Sequence, residues 1–236
     1  MKKIIWFLPM LFLWSCTQEE VVNTDLYLYF DYTEGQNYEQ VMAQDVDKYL
    51  QLMDISEHSR NYGTVKVYPL HDISASVNQT VKIKEGKSQL EGNRYVRQKE
   101  VNQFKEKLGG KLTSLNESFK NTPLNNSHIF APICKGFKKL QQSDTNQKIV
   151  IIYSDMLENS NVANLHRGKV DYAELAATLD ETCNCGDLMD IQLYVVHPVS
   201  KPHDQLIRQS AGLWQQYFQG KGLDSKNFHF DTSIDI

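Results

Sequence analysis

Sequence signatures of several common enzyme classes are missing from this chain of 236 residues. It has no glycine-rich phosphate loop after a strand, no Gly-x-Ser-x-Gly nucleophile elbow and no His-Glu-x-x-His metal helix. Basic residues are not in excess either, because 25 Lys and Arg stand against 29 Asp and Glu. With no basic stripe that carries interleaved aromatics, the composition argues against a nucleic-acid partner.

Cysteines are also scarce, and their number is a poor basis for a disulfide framework. Beyond Cys16 there are three, Cys134, Cys183 and Cys185, which is an odd count. Cys183 and Cys185 are separated by one residue and are the candidates for a local disulfide in an oxidising compartment. Half of a soft-metal site is the alternative, but no second pair of ligands lies near them in the sequence.

The first long apolar run lies at the start of the chain, where Ile4 to Trp14 follow Lys2 and Lys3. These eleven residues would rise only about 16 Å as a helix, against about 30 Å of bilayer hydrocarbon, so they fit a secretory signal better than a membrane span. The run ends in Leu13-Trp14-Ser15-Cys16, which resembles a bacterial lipobox. That resemblance implies that residues 1–15 are removed and that Cys16 becomes a lipidated terminus. An ordinary signal peptide with a chance cysteine is the alternative.

Residues 16–24 then form a short polar tether. Its segment Thr17-Gln18-Glu19-Glu20 is similar to the surface-export signal of Bacteroidetes lipoproteins, which implies a lipid anchor at the outer membrane or cell surface; a merely solvated tether is the alternative. Loss of Lys2 and Lys3 with the signal leaves 23 basic residues against 29 acidic ones, a net charge of −6.

Residues 25–236 have the pattern of one α/β domain. Leu26–Phe30 and Ile149–Tyr153 are continuous apolar runs of β-forming residues, typical of central strands that are buried on both faces. Amphipathic helices alternate with these and with shorter strands, which favours a three-layer, doubly wound, mostly parallel sheet of Rossmann-like architecture. The predicted strands are 26–30, 64–70, 81–84, 149–153, 191–196 and 228–230, and the predicted helices are 38–53, 101–119 (interrupted at Gly109-Gly110), 131–140, 170–181 and 204–219.

Both central strands are followed by an aspartate, Asp31 and Asp155. In doubly wound sheets, ligands bind at the carboxyl ends of the strands, where the strand order reverses. The two carboxylates are therefore predicted to lie at one edge of the sheet, where the oxygen ligands that Mg²⁺ prefers would meet.

These segments resemble the von Willebrand factor A family, whose metal-ion-dependent adhesion site has Asp-x-Ser-x-Ser after the first strand, a later Thr, and an Asp after the fourth strand. Here the first segment reads Asp31-Tyr32-Thr33-Glu34-Gly35, and Tyr153-Ser154-Asp155 matches the last. The later hydroxyl is best placed at Ser127, ahead of Thr122. The resemblance implies that Asp31, Thr33, Ser127 and Asp155 bind Mg²⁺ or Mn²⁺, although Gly35 lacks the second hydroxyl.

Simpler roles compete with this assignment. Asp31 and Asp155 can accept hydrogen bonds from the loops that follow them, and Thr33 and Ser127 can be helix caps. Glu34 and Glu158 lie near the same loops and could tune or replace a ligand, but surface charges are the more frequent explanation.

Together these features predict a noncatalytic, lipid-anchored binding module that is held to the membrane through Cys16 and recognises a protein partner of unknown identity. A Mg²⁺-dependent phosphohydrolase of the haloacid-dehalogenase type is the rival, because Asp31 could be its nucleophile. Thr33 stands where that family has an acid/base aspartate, and no second acidic residue follows Asp155 directly. A metal-free structural component of an envelope complex is the third hypothesis.

Overall fold

The computed structural model describes residues 20–33, 39–70, 79–87, 92–119, 127–167, 170–199 and 203–236. Cys16, Glu34, Gly35 and Thr122, which the sequence singles out, lie outside these ranges. The strands are β1 (Asn23–Asp31), β2 (Tyr62–Leu70), β3 (Gln79–Ile83), β4 (Gln147–Tyr153), β5 (Ile191–Val196) and β6 (Phe228–Asp231), and the helices are α1 (Glu39–Leu52), α2 (Arg94–Phe119), α3 (Phe130–Gln141), α4 (Tyr172–Thr182) and α5 (Asp204–Gly220).

The strands form one six-stranded sheet in the order β3-β2-β1-β4-β5-β6. Every neighbouring pair is parallel except β2 and β3, so the only antiparallel strand of this sheet is at its edge. The chain builds outwards from β1 to β2 and β3, and then returns to the other side of β1 with β4. This arrangement confirms the predicted doubly wound, mostly parallel α/β fold.

Helices cover both faces of the sheet because the central strands are apolar on both faces. Leu26, Leu28 and Phe30 of β1 pack into one core with side chains of α1 and α2. Tyr27 and Tyr29 point to the other face, where they join a second core with α3, α4 and α5. The continuous apolar run of β1 is therefore explained by burial on both sides.

The predicted interruption of α2 at Gly109 and Gly110 is wrong. The helix runs unbroken through both glycines, and neither has a neighbour within contact distance of an added Cβ. Each glycine costs a helix about 1 kcal/mol relative to alanine. Leu108 and Leu112, almost fully buried on either side of the pair, offset that cost by packing against the sheet.

The predicted pairing of Cys183 with Cys185 is also wrong. Cys183 bonds instead to Cys134 of α3, with 6.3 Å between their Cα atoms. Cys183 is the C-cap residue directly after α4, so its disulfide ties α4 to α3 on the same face of the sheet. Cys185 is buried and free, and burial raises the pKa of its thiol to about 12.

In the part of the chain that the structure describes, no helix combines the length and the apolar character needed to cross a bilayer.

Candidate functional site at the carboxyl rim of the sheet

The candidate site lies where β1 and β4 end side by side. Phe30 is paired with Tyr153 in the parallel register, so the next residues, Asp31 and Ser154, are level with each other at the carboxyl edge. β1 is also the strand at which the order of the sheet reverses, since β2 lies on one side of it and β4 on the other. Doubly wound folds bind ligands at this position.

The carboxylate of Asp31 is buried and is surrounded by hydroxyl groups. Its Oδ1 accepts hydrogen bonds from the backbone N–H of Thr33 at 3.0 Å and from Thr33 Oγ1 at 2.6 Å. Its Oδ2 accepts from Ser127 Oγ at 3.1 Å and from Ser154 Oγ at 2.8 Å. With only 2% of its surface exposed, Asp31 depends on these donors in place of water.

Three separate segments of the chain supply those hydroxyls. Thr33 follows β1, Ser127 precedes α3 and Ser154 follows β4. Ser127 is held in place by two backbone hydrogen bonds with Asn159, which joins the segment before α3 to the loop after β4. We call this arrangement, Asp31 with the hydroxyls of Thr33, Ser127 and Ser154, the hydroxyl cluster.

Asp155 lies beside the hydroxyl cluster and is less buried than Asp31. Its Oδ1 accepts a hydrogen bond from the backbone N–H of Leu157 at 2.9 Å, which closes a tight turn. The next residue, Met156, has a positive φ of 59°, and its carbonyl accepts hydrogen bonds from Ser210 Oγ and Trp214 Nε1 of α5. The loop that carries Asp155 is therefore fixed by α5.

The expectation that Glu158 is a surface charge is wrong. Glu158 is 1% exposed, and its Oε2 accepts hydrogen bonds from the backbone N–H groups of Ile129 and Phe130 at the start of α3. Burial raises the pKa of the Glu158 carboxyl; hydrogen bonds from Ser160 and those backbone groups oppose this, and the charge of Asp31 adds to it. Glu158 thus stabilises the N-terminus of α3 beside the hydroxyl cluster.

The structure brings together three of the four predicted ligands, Asp31, Thr33 and Ser127, and places Asp155 on the adjoining loop. Ser127 does not cap α3, because its hydroxyl donates to Asp31 and the helix begins two residues after His128 without a side-chain cap. Ser154 was not predicted as a site residue. Its position directly after a buried strand, and level with Asp31, is the signal that could have found it.

The hydroxyl cluster and Asp155 offer oxygen atoms to a cation. Among the described residues, no group of three or more His, Cys, Asp and Glu side chains is arranged to hold a metal ion, so a cation here would depend on hydroxyl oxygens as well as carboxylates. A hydroxyl that donates its hydrogen to Asp31 keeps two lone pairs for a cation. The residues therefore fit a hard divalent ion such as Mg²⁺ in kind.

No family model and no curated protein matches this chain. Among solved structures, the PilB minor pilin of Streptococcus sanguinis (a D319A mutant) is similar at 12% identity and a TM-score of 0.49, covering 93% of this chain and 59% of its own. Human Sec24c gives 12% identity and a TM-score of 0.45 over 93% of this chain, which spans 31% of that protein. BatB of Bacteroides thetaiotaomicron gives 13% identity and a TM-score of 0.35, covering 90% of this chain and 91% of its own. By strand order and direction, this chain has a doubly wound, mostly parallel α/β fold.

Proposed function

We propose that this protein is a noncatalytic, lipid-anchored module of the cell envelope that binds a protein partner through the carboxyl rim of its sheet. The observation that supports this most directly is the hydroxyl cluster. Three hydroxyls from three loops converge on one buried carboxylate, at the edge where this class of sheet binds ligands.

A divalent cation would be held at this rim by Asp31, Thr33, Ser127 and Asp155, with Ser154 as a further oxygen donor. Bound there, Mg²⁺ or Mn²⁺ would supply a coordination position that a carboxylate of the partner can fill. Hydroxyl ligands neutralise less of the charge of a cation than additional carboxylates would, and this keeps the ion attractive to an acidic partner.

Anchoring is proposed to occur through lipid on Cys16, after removal of residues 1–15. Two acyl chains are enough for stable attachment to a bilayer. The Cys134–Cys183 disulfide supports export, because disulfides persist in oxidising compartments and are rare in the cytosol. We place the protein at the outer membrane or cell surface.

The enzyme hypothesis is disfavoured by the surroundings of Asp31. Phosphohydrolases of the haloacid-dehalogenase type have an acid/base aspartate two residues after the nucleophile, whereas Thr33 occupies that position here and its hydroxyl donates to Asp31. A metal-free structural role is the second candidate. It is favoured by the same hydrogen bonds, since they satisfy Asp31 without any cation.

Thermal unfolding of the chain from residue 17, with millimolar Mg²⁺ or Mn²⁺ or with chelator, separates the two candidates. The binding hypothesis predicts a metal-dependent rise in Tm, because a ligand that binds only the folded state stabilises it. Asp31→Asn and Asp155→Ala should abolish that rise. Asp25→Asn is the matched control, since Asp25 is a buried acid at the other end of β1 that accepts from Ser143 Oγ. No rise in the parent chain would favour the structural role.

A further inference from the structure

The tether enters the domain at the end of the sheet opposite to the hydroxyl cluster. The backbone N–H of Val22 donates to Asn61 Oδ1 at 2.8 Å, and the carbonyl of Val22 accepts from the N–H of Tyr62 at 3.1 Å. The carbonyl of Asn61 also accepts from the guanidinium of Arg97, in the first turns of α2. Asn61 therefore joins the tether directly to the start of α2.

The start of α2 exposes two large apolar side chains to solvent. Tyr95 is 74% exposed and Val96 is 51% exposed. Lys99, also exposed, lies one turn beyond Tyr95, and at about 100° per residue the three side chains share an arc of about 100°. Tyrosine is enriched where proteins meet the membrane–water interface, and a lysine beside it can reach anionic headgroups.

Lysines without an ion pair lie near the start of α2. The acidic side chains next to α2 are already engaged, because Glu57 pairs with Arg94, Glu85 with Arg60 and Glu100 with Arg97. Lys82 and Lys84 are not part of this surface, because they line a cavity with Asp25 and Asp144 on the other face of the sheet, while Val81 and Ile83 of β3 pack towards α2. Two exposed lysines near the start of α2 form no ion pair within the described residues: Lys99 on the helix and Lys87, which follows Gly86 at its approach to Arg97.

We infer that this face, defined by Lys87, Tyr95, Val96 and Lys99 and called the α2 surface, docks on the anionic phospholipid surface to which the chain is anchored. The inference rests on the proposed anchor at Cys16. The seven residues from Cys16 to Val22 are joined by six Cα–Cα steps and span at most about 21 Å, so this end of the domain cannot move far from the headgroups. The lysines meet phosphate groups, and Tyr95 and Val96 enter the interface between headgroups and acyl chains.

Co-sedimentation of the lipid-free chain from residue 17 with vesicles tests the surface without the anchor. Both hydrophobic cores lie within residues 26–234, so this chain keeps them entire. We expect it to bind phosphatidylcholine vesicles that contain about one third phosphatidylglycerol more tightly than pure phosphatidylcholine vesicles, and to lose most of that preference at about 0.5 M salt.

Two double variants locate the contact. Lys87→Gln with Lys99→Gln should weaken partitioning about twenty-fivefold, about fivefold for each lysine, and Tyr95→Ser with Val96→Ser should weaken it on both kinds of vesicle. The matched controls are Arg208→Gln and Val199→Ser, an exposed charge and a 76% exposed apolar residue beyond the carboxyl end of β5. These controls should bind as the parent does.

Equal binding to both kinds of vesicle, or equal binding by the variants and the parent, would overturn the inference. Binding to delipidated envelope protein that the Tyr95→Ser, Val96→Ser variant loses would assign the surface to a protein partner and would also overturn it. The anchor is tested separately, by incorporation of labelled palmitate at Cys16. Vesicle binding without palmitate incorporation would refute the anchor alone, and the reverse result would refute the α2 surface alone.

Discussion

Removal of one hydroxyl, in Ser154→Ala, tests whether the hydroxyl cluster holds the rim together. Ser154 is 1% exposed, and its hydroxyl makes two hydrogen bonds within the rim. Its Oγ donates to Asp31 at 2.8 Å and accepts from the backbone N–H of Met156 at 2.9 Å. Alanine fits the same space but leaves both partners short of a hydrogen bond.

The expected loss follows from these two bonds. A hydrogen bond to a charged group contributes about 1.5–3 kcal/mol, and a buried N–H left without an acceptor costs about 1–3 kcal/mol. Because Asp31 keeps its donors from Thr33 and Ser127, the two costs do not add fully. We expect the free energy of unfolding to fall by about 3 kcal/mol.

Urea unfolding followed by circular dichroism measures this change, with Ser143→Ala as the matched control. Ser143 also donates to an aspartate, Asp25, at 2.8 Å, but it is only partly buried and lies at the opposite end of β1. Its loss should cost about 1 kcal/mol. A double-mutant cycle of Ser154→Ala with Asp31→Asn should show a coupling of about 1 kcal/mol or more. If Ser154→Ala lowers stability by no more than Ser143→Ala does, the cluster does not hold the rim together.

Three further predictions concern other parts of the chain. Since burial raises the pKa of Glu158 in the folded state, its contribution to stability is present below the unfolded pKa and is lost as pH rises through the folded value, so Glu158→Gln should flatten that decline in urea titrations at several pH values. Cys134→Ser should lower stability by about 4 kcal/mol in non-reducing urea titrations, because the disulfide joins residues 49 apart; an equally stable variant would contradict this. Cys16→Ala should abolish palmitate labelling and release the protein from membranes on fractionation, and retention would refute the anchor.

The fold was predictable because burial on both faces leaves a clear pattern in the sequence. Ile149–Tyr153 is apolar without interruption because helices cover both sides of β4. The position of Asp31 at the end of β1 follows from where its apolar run stops. The continuity of α2 through Gly109 and Gly110 was not predictable from local propensity, because packing of the neighbouring leucines against the sheet decides it.

The site was predicted less completely, because its contacts join residues that are far apart in the chain. Ser154 donates to a carboxylate 123 residues away, and Glu158 accepts from α3, whose N-terminus lies 28 residues before it. Neither the charge of a side chain nor its position in the sequence predicts that Ser154 and Glu158 are buried. The cysteine pairing was wrong for the same reason, since only the packing of α3 beside α4 brings Cys134 to Cys183.

β1 carries a mechanical consequence, because the tether joins its first residue and Asp31 is its last. A partner that pulls on the rim while the N-terminus is held would stretch the protein along this one strand, over about 26 Å. The load would act in shear on the hydrogen bonds to β2 and β4 together, since both flank β1 in parallel along nearly its whole length. The tension would thus be shared by the β1–β2 and β1–β4 hydrogen-bond ladders, and the edge strands β3 and β6 would carry little of it.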